Sequence, residues 1–418
     1  MAMSGTKRTI DAIWRIESAQ LIAGLTRMVR DVGLAEDLAQ DALVIALERW
    51  PDTGIPDNPG AWLMTTAKRR AIDMMRRNKL RDQKYEELAR SSDLYTEHVL
   101  DENLDGEFGD DLLRLIFMTC HPVLSRDARV ALTLRLLCGL STDEIARAFL
   151  AAESTIAQRI VRAKRTLNAE KVPFEVPTGP ALKDRLSSVL EIIYLMFNEG
   201  YSATSGEQLI RPILCQEALR LARVLAAMVP QEPEVHGLVA LLEIQSSRLK
   251  TRVGPDGETI LLMDQNRALW DQLLIRRGLA ALERSQKFGH PYGPYTLQAA
   301  ISACHAQART PSETDWTRIA ALYEALLGSM PSPIVELNRA VAIAMAFGPA
   351  FGLQLVDELR KQSMLKDYHL LPSVRGDLLY KLERFEEARE EFERAASLTR
   401  NERERELLLK RADNCIPK

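Results

Sequence analysis

Trp62, Thr65, Thr66, Arg69, Asp73 and Arg76 fall on one side of a helix when residues advance by about 100° each. The stretch reads NPGAWLMTTAKRRAIDMMRR (58–77), with Asn58 as N-cap and Pro59 in the first helical position. Leu63, Met64, Ala67, Ala71, Met74 and Met75 fill the other side. Hydrophobic economy places a tryptophan in the core, yet helical phase sets Trp62 among hydroxyls and guanidiniums. An aromatic plane for a splayed base, hydroxyls for its edges and cations for phosphates together suit single-stranded nucleic acid. The plainer reading is a solvated charged face whose Trp62 packs under a neighbouring helix. Asp73 and Arg76, three residues apart, also have the spacing of an intrahelical ion pair.

A second such pattern lies over residues 127–167. Ser141-Thr142-Asp143-Glu144 spells a capping box, with Ser141 as N-cap and Glu144 reaching back, and STDEIARAF continues as a helix. The turn LAAE leads to another helix near Ser154, STIAQRIVRAKRTL. There Ile156, Ile160, Ala163 and Leu167 share a narrow inward arc, while Thr155, Gln158, Arg159, Arg162 and Arg165 point out together. The second helix of a helix-turn-helix has this polarity. Its apolar side locks onto a scaffold, and its amide and guanidinium groups reach base edges and phosphates.

Upstream, AEDLAQDALVIALERW (35–50) is amphipathic, with Leu38, Ala42 and Ile45 inward and Asp37, Gln40, Asp41 and Glu48 outside that stripe. An acidic face repels phosphates and suits protein docking or plain solvation. The loop PDTGIPDN (51–58) follows, rich in turn formers and close to Trp62.

The elements that must position these side chains read as helices throughout. Apolar residues recur at three- and four-residue spacing and strand-like alternation is scarce, so an all-α chain is expected. Local charge divides it. Residues 62–84 carry eight Lys/Arg against two Asp, 85–111 ten acids against Arg90 alone, and 112–171 ten basic against five acidic residues. The expected divisions are a helical domain over 1–84, an acidic flexible linker over 85–111, a helix-turn-helix domain over 112–171, a proline-rich break at 172–180 and a helical tail over 181–418. In that tail Ala388, Phe392 and Ala395, with Gly376 and Leu379 upstream, have the spacing of a tetratricopeptide helix pair. Ala320, Glu324 and Leu327 sit two repeats earlier, Gln354 takes the alanine position between them, and 181–310 carries the repeat weakly. An irregular helical bundle is the alternative.

With 46% hydrophobic and 27% charged residues and a net charge of −3, the chain can bury a core and shows no global basic excess. Glycine and proline, 21 and 19 residues, are at ordinary usage, which excludes collagen-like and low-complexity architecture. The five cysteines (120, 138, 215, 304, 415) include no CxxC pair, which argues against disulfides or structural zinc and fits a reducing cytoplasm. No signal peptide is expected from MAMSGTKRTIDAIW, and the longest uncharged stretch, residues 340–356, is too short and too interrupted for a bilayer. Cys120–His121 and Cys304–His305 lack metal-ligand spacing and read as buried thiols beside hydrogen-bonded imidazoles. FNEGY (197–201) reads either as pocket lining or as an ordinary helix C-terminus. No phosphate loop or nucleophile motif appears, and no catalytic residue, cofactor or metal is expected.

In this order the elements resemble a bacterial RNA polymerase sigma factor of the extracytoplasmic-function (ECF) group. AEDLAQDALVIALERW is similar to the group's clamp-binding helix, and PGAWLMTTAKRRAIDMMRR to its promoter-melting and −10-reading helix. The acidic linker and STDEIARAFLAAESTIAQRIVRAKRTL resemble its linker and its −35-reading helix-turn-helix, so the resemblance covers roughly residues 10–171. YLMFNEGYSA, GPYTLQAAISACHA and SPIVELNRAVA resemble the tetratricopeptide-like tail of one ECF subgroup.

The resemblance implies a non-enzymatic cytoplasmic protein that binds core RNA polymerase and promoter DNA, as duplex and as melted non-template strand. Trp62, Thr65, Thr66, Arg69, Asp73 and Arg76 would contact the −10 region, with the 51–58 loop forming part of a pocket for an extruded base. Ser154, Thr155, Gln158, Arg159 and Arg162 would read or anchor the −35 element, and Asp37, Gln40 and Asp41 would face the polymerase clamp. The long tail departs from a minimal member of the group and implies intramolecular regulation in place of a separate membrane-bound anti-sigma factor. The rival is a conventional helix-turn-helix regulator with a tetratricopeptide-like sensor. It leaves the Trp62 face and the acidic 35–50 helix unexplained.

Overall fold

A computed structural model describes residues 2–86, 108–149, 151–202, 209–255, 257–288, 291–362 and 365–415. Among these residues the chain is α-helical apart from short 3-10 turns, with an isolated antiparallel bridge between Val253 and Thr259. Two compact units divide it, Met1–Ile192 and Ile193–Lys418.

The first unit is built from α1 (Ala2–Val29), α2 (Val32–Thr53), α3 (Pro59–Glu86), α4 (Phe108–Thr119), α5 (Arg126–Leu136), α6 (Thr142–Phe149), α7 (Glu153–Ala169) and the start of α8 (Pro180–Tyr201). Asp31 opens α2 by accepting the Leu34 N–H at 2.9 Å. The helix then runs through Pro51 to Thr53 and stops at Gly54, whose φ is +84°. Residues 51–53, expected as loop, are therefore its last turn. On α3, Leu63, Ala67 and Ala71 are buried as the periodicity requires, but Met75 is 39% exposed. It lies one residue past the edge of the apolar stripe.

Helix α4 begins at Phe108, inside the stretch expected as linker. Asp111, counted there with the linker acids, is 1% exposed and lies 2.7 Å from Arg114 Nη1 and 3.3 Å from Arg27 Nε. A carboxylate so buried must be paired, and here it pins α4 to α1. Residues 87–107 of the expected linker lie outside the described residues.

The capping box forms as spelled: the Glu144 N–H donates to Ser141 Oγ at 3.1 Å and the Ser141 N–H to Glu144 Oε2 at 2.8 Å. Gly139, in the turn before it, has φ +65°, and a Cβ there would lie 2.8 Å from Ser18 Oγ. Residues 180–192 of α8 belong to this unit. Arg185 donates to the Phe117 carbonyl at 2.6 Å, Ser188 to that of Cys120 at 2.8 Å, and Glu191 pairs with Arg126 at 3.0 Å. The two units thus divide after Ile192, not at the proline-rich break.

The second unit continues with α9 (Pro212–Met228), α10 (Pro233–Ser247), α11 (Gln272–Phe288), α12 (Pro294–Gln307), α13 (Trp316–Ser329), α14 (Pro333–Phe347), α15 (Pro349–Leu359), α16 (Leu370–Lys381), α17 (Phe385–Leu398) and α18 (Glu402–Asp413). Five of these open on proline, which supplies helical φ where no N–H partner is needed. Helix α10 is buried almost all round, with α9, α11 and α12 packed against it. From α13 onward each helix packs on the next in sequence, the pattern of a helical-hairpin repeat. The tetratricopeptide signal lies in α16–α17: Ala388, Phe392 and Ala395 are buried, and a Cβ on Gly376 would come within 2.9 Å of the Phe392 ring. Ala320 is half-buried and Gln354 exposed, so the repeat fades toward the N-terminal side as its spacing does.

Candidate nucleic-acid interface

Asn58 Oδ1 accepts the Ala61 N–H at 3.0 Å and starts α3. On its outward row Thr65, Arg69, Asp73 and Arg76 are exposed, and Trp62 and Thr66 are half-buried. Trp62 meets the buried Trp50 edge-on, ring centroids 5.2 Å apart. The tryptophan thus packs on α2 and stays half-open to solvent. Thr65 Oγ1 donates to the Ala61 carbonyl at 2.9 Å and Thr66 Oγ1 to that of Trp62 at 2.8 Å. With their protons committed to the helix, both oxygens have only acceptor capacity left. Asp73 and Arg76 form no ion pair with each other; Arg77 Nε instead reaches the Asp73 carbonyl at 3.3 Å.

The outward face of α2 is more engaged than its periodicity suggests. Asp41 pairs with Arg70 of α3 at 3.4 Å, and Gln40 turns to donate to Glu36 Oε1 at 2.5 Å. Asp37 remains exposed, and partial burial pushes its carboxyl above the usual range; Glu36, Asp41 and Asp31 add to that while Lys164 opposes it.

Glu36 is the residue that sequence reasoning passed over. It is 2% exposed, accepts from Arg135 Nε of α5 at 2.6 Å and pairs with Lys164 of α7. One signal was available: Glu36 is in helical phase with the buried Val32 and Ala39, so an acid stands inside the apolar stripe. This cluster, with Asn168 donating to Asp31 Oδ2 at 2.8 Å, joins α2 to the helix-turn-helix.

On α7, Ile156, Ile160, Ala163 and Leu167 are all buried. Ser154, Thr155, Gln158, Arg162 and Arg165 are exposed on the other side. Arg159 is half-buried, its Nη2 3.2 Å from Asp127 Oδ2 of α5. Thr155, Gln158, Arg159 and Arg162 line one groove between α7 and the start of α5.

All five cysteines are buried free thiols. His121 Nδ1 accepts the Val123 N–H at 3.1 Å, the hydrogen-bonded imidazole that was expected. His305 departs from that expectation: it packs edge-on to Trp316, and among the described residues its buried Nδ1 has no partner. Among the described residues no three His, Cys, Asp or Glu gather as a metal site, and no helix is long and apolar enough to cross a membrane.

An N-terminal module carrying a Trp/Thr/Arg face and a second with a helix-turn-helix define a two-part promoter-binding architecture. The sigma-70 region 2 family matches residues 15–81 and the sigma-70 region 4 family matches 114–167. Residues 185–286 match a family of unknown function (DUF6596). An uncharacterised protein of Rhizobium meliloti (strain 1021) is 42% identical over 91% of this chain and 90% of its own length. The ECF RNA polymerase sigma factor SigK of Mycobacterium sp. (strain KMS) is 32% identical over 32% of this chain and 69% of its own. The probable ECF RNA polymerase sigma factor SigI of Mycobacterium tuberculosis (strain CDC 1551 / Oshkosh) is 29% identical, and the chain spans 57% of its length. No solved structure matches. The chain belongs to the ECF RNA polymerase sigma factors. Its function is to direct promoter-specific transcription initiation, with core RNA polymerase and promoter DNA as partners.

Proposed function

We propose that three faces of the first unit divide this work. Trp62, Thr65, Thr66, Arg69, Asp73 and Arg76 contact the −10 region, with residues 54–58 beside an extruded base. Acceptor oxygens on Thr65 and Thr66 suit the exocyclic amino groups of adenine or cytosine, and the half-open Trp62 offers a stacking plane. Ser154, Thr155, Gln158, Arg159 and Arg162 read or anchor the −35 element. Arg159 does so by leaving Asp127, a pair open enough to be worth about 0–1 kcal/mol. Asp37, Gln40 and Asp41 face the polymerase clamp.

In this reading region 2 occupies 1–84 and region 4 occupies 112–171. The second unit regulates promoter output, and the protein acts in the cytoplasm without catalytic chemistry of its own. The observation that carries the reading is the division of α7, whose Ile156, Ile160, Ala163 and Leu167 are buried while Ser154, Thr155, Gln158 and Arg162 stay exposed. Transcription by core polymerase on a library of promoter fragments tests it. Discrete start sites that require the added chain are expected, with the preferred −35 sequence relaxed by Gln158→Ala and melting impaired by Trp62→Ala. Start sites indifferent to both substitutions would sink the residue assignment.

A further inference from the structure

The second unit holds a cavity of about 540 Å³ among the end of α8 and helices α10, α12, α13 and α14. Tyr194, Phe197, Tyr201, Trp270 and Tyr323 wall it with aromatic surface. Much of the neutral polar lining is already satisfied: Tyr194 Oη donates to Gln298 Oε1 at 2.7 Å, and Gln245 Nε2 to Ser302 Oγ at 3.0 Å. Among the described residues no Asp or Glu lines the cavity, and Arg248 is its single Lys or Arg.

Arg248 donates to Gln245 and, among the described residues, pairs with no carboxylate. Its guanidinium lies 5.4 Å from the Tyr201 ring centroid, and that ring also has Arg252 over it at 3.7 Å. A half-buried cation facing aromatic walls loses hydration and gains no counter-charge, a cost that a bound anion would remove. His305 reports the same field. Burial first, then Arg248 and Arg267, hold its imidazole neutral down to about 3, so the cavity is electropositive with that ring uncharged. Its Nδ1 is buried and has no hydrogen-bond partner among the described residues.

The geometry points to a binding site in the second unit for a small aromatic carboxylate, its ring among the tyrosines and Trp270 and its carboxylate on Arg248. One planar guanidinium with no lysine beside it matches a two-oxygen monoanion, whereas a phosphate draws several donors. The volume is that of an ordinary small-molecule site. The site stands on the lining of this unit and not on the regulatory reading above.

The test titrates the full-length protein with phenylacetate and indole-3-acetate, their neutral amides, and inorganic phosphate, reading heat and tryptophan fluorescence. At least one acid should bind with Kd below about 1 mM, with its amide about tenfold weaker and phosphate weaker still. Arg248→Gln should remove the preference of acid over amide while leaving amide binding unchanged. Ile334 is a lining residue 44% exposed at the rim, so Ile334→Trp narrows the cavity from outside the core and should weaken acid and amide together. No acid bound at about 10 mM, equal affinity for acid and amide, phosphate binding as tightly as the acid, or an undiminished preference in folded Arg248→Gln would each overturn the assignment. Should Arg248→Gln fail to fold, the wild-type acid-to-amide ratio and Ile334→Trp still decide.

Discussion

Glu36 sits in the apolar phase of α2, and Arg135 from α5 and Lys164 from α7 supply its counter-charges. Glu36→Gln leaves two cations facing a neutral amide, and removing one member of a buried ionic cluster costs about 3 kcal/mol. Urea unfolding of the first unit should show that loss; a change within about 0.5 kcal/mol would mean the cluster behaves like a surface pair. His305 makes a different prediction, set by pH. Its ordinary value is 6.5 and the folded value about 3, so between these the unfolded chain takes up a proton that the fold refuses. The stability owed to a neutral His305 is complete above about 6.5 and declines as pH falls toward 3. Compared at pH 7.5 and 5, wild type should lose on the order of 2 kcal/mol more than His305→Gln. Equal losses would show that the ring is solvated. Neither residue was legible beforehand as what it is, since the cations that pair with Glu36 arrive from 99 and more positions away.

At the scale of the element, α7 was legible to within a residue. Its apolar phase, and the capping box that opens α6 before it, are settled by neighbours within four positions. Gln158 and Arg162 sit on its exposed side and have different expected effects. Gln158→Ala should flatten the preference at one base pair of the −35 element by about 1–3 kcal/mol. Arg162→Ala should weaken binding to all sequences and lower the salt slope by about one unit. Promoter binding by the polymerase complex across a salt series distinguishes them, and a uniform effect of both would remove the base-reading role of Gln158. Other boundaries were less legible. Pro51 reads as a helix breaker, yet α2 carries it in its last turn, where Gly54 closes the helix on the Trp50 carbonyl at 3.0 Å. Helix α4 starts among acids that read as linker because Asp111 finds Arg27 and Arg114.

At the scale of the molecule the informative boundary is the one within α8. The prolines at 173, 177 and 180 mark a break in the chain, but Arg185 and Ser188 beyond them bind the Phe117 and Cys120 carbonyls. A fragment ending at Lys171 loses these bonds, at about 1 kcal/mol each. It should melt about 5 °C below one ending at Ser202. Equal midpoints in a calorimetric comparison would show that α8 contributes nothing to the first unit.

The sequence alone determined that the chain is helical, where the helix-turn-helix lies, which side of α7 and α3 faces out, and the family to which the order of elements belongs. Those properties rest on periodicity, caps and turns, whose hydrogen bonds close within one or two helical turns. Only the tertiary structure decided that Glu36 and Asp111 are buried charges, that Trp62 leans on Trp50, that the first unit reaches Ile192, and that Arg248 faces an aromatic cavity with no acid among its described lining residues. Each depends on which distant side chain arrives to pair with or desolvate a group, and that information is spread over the whole chain.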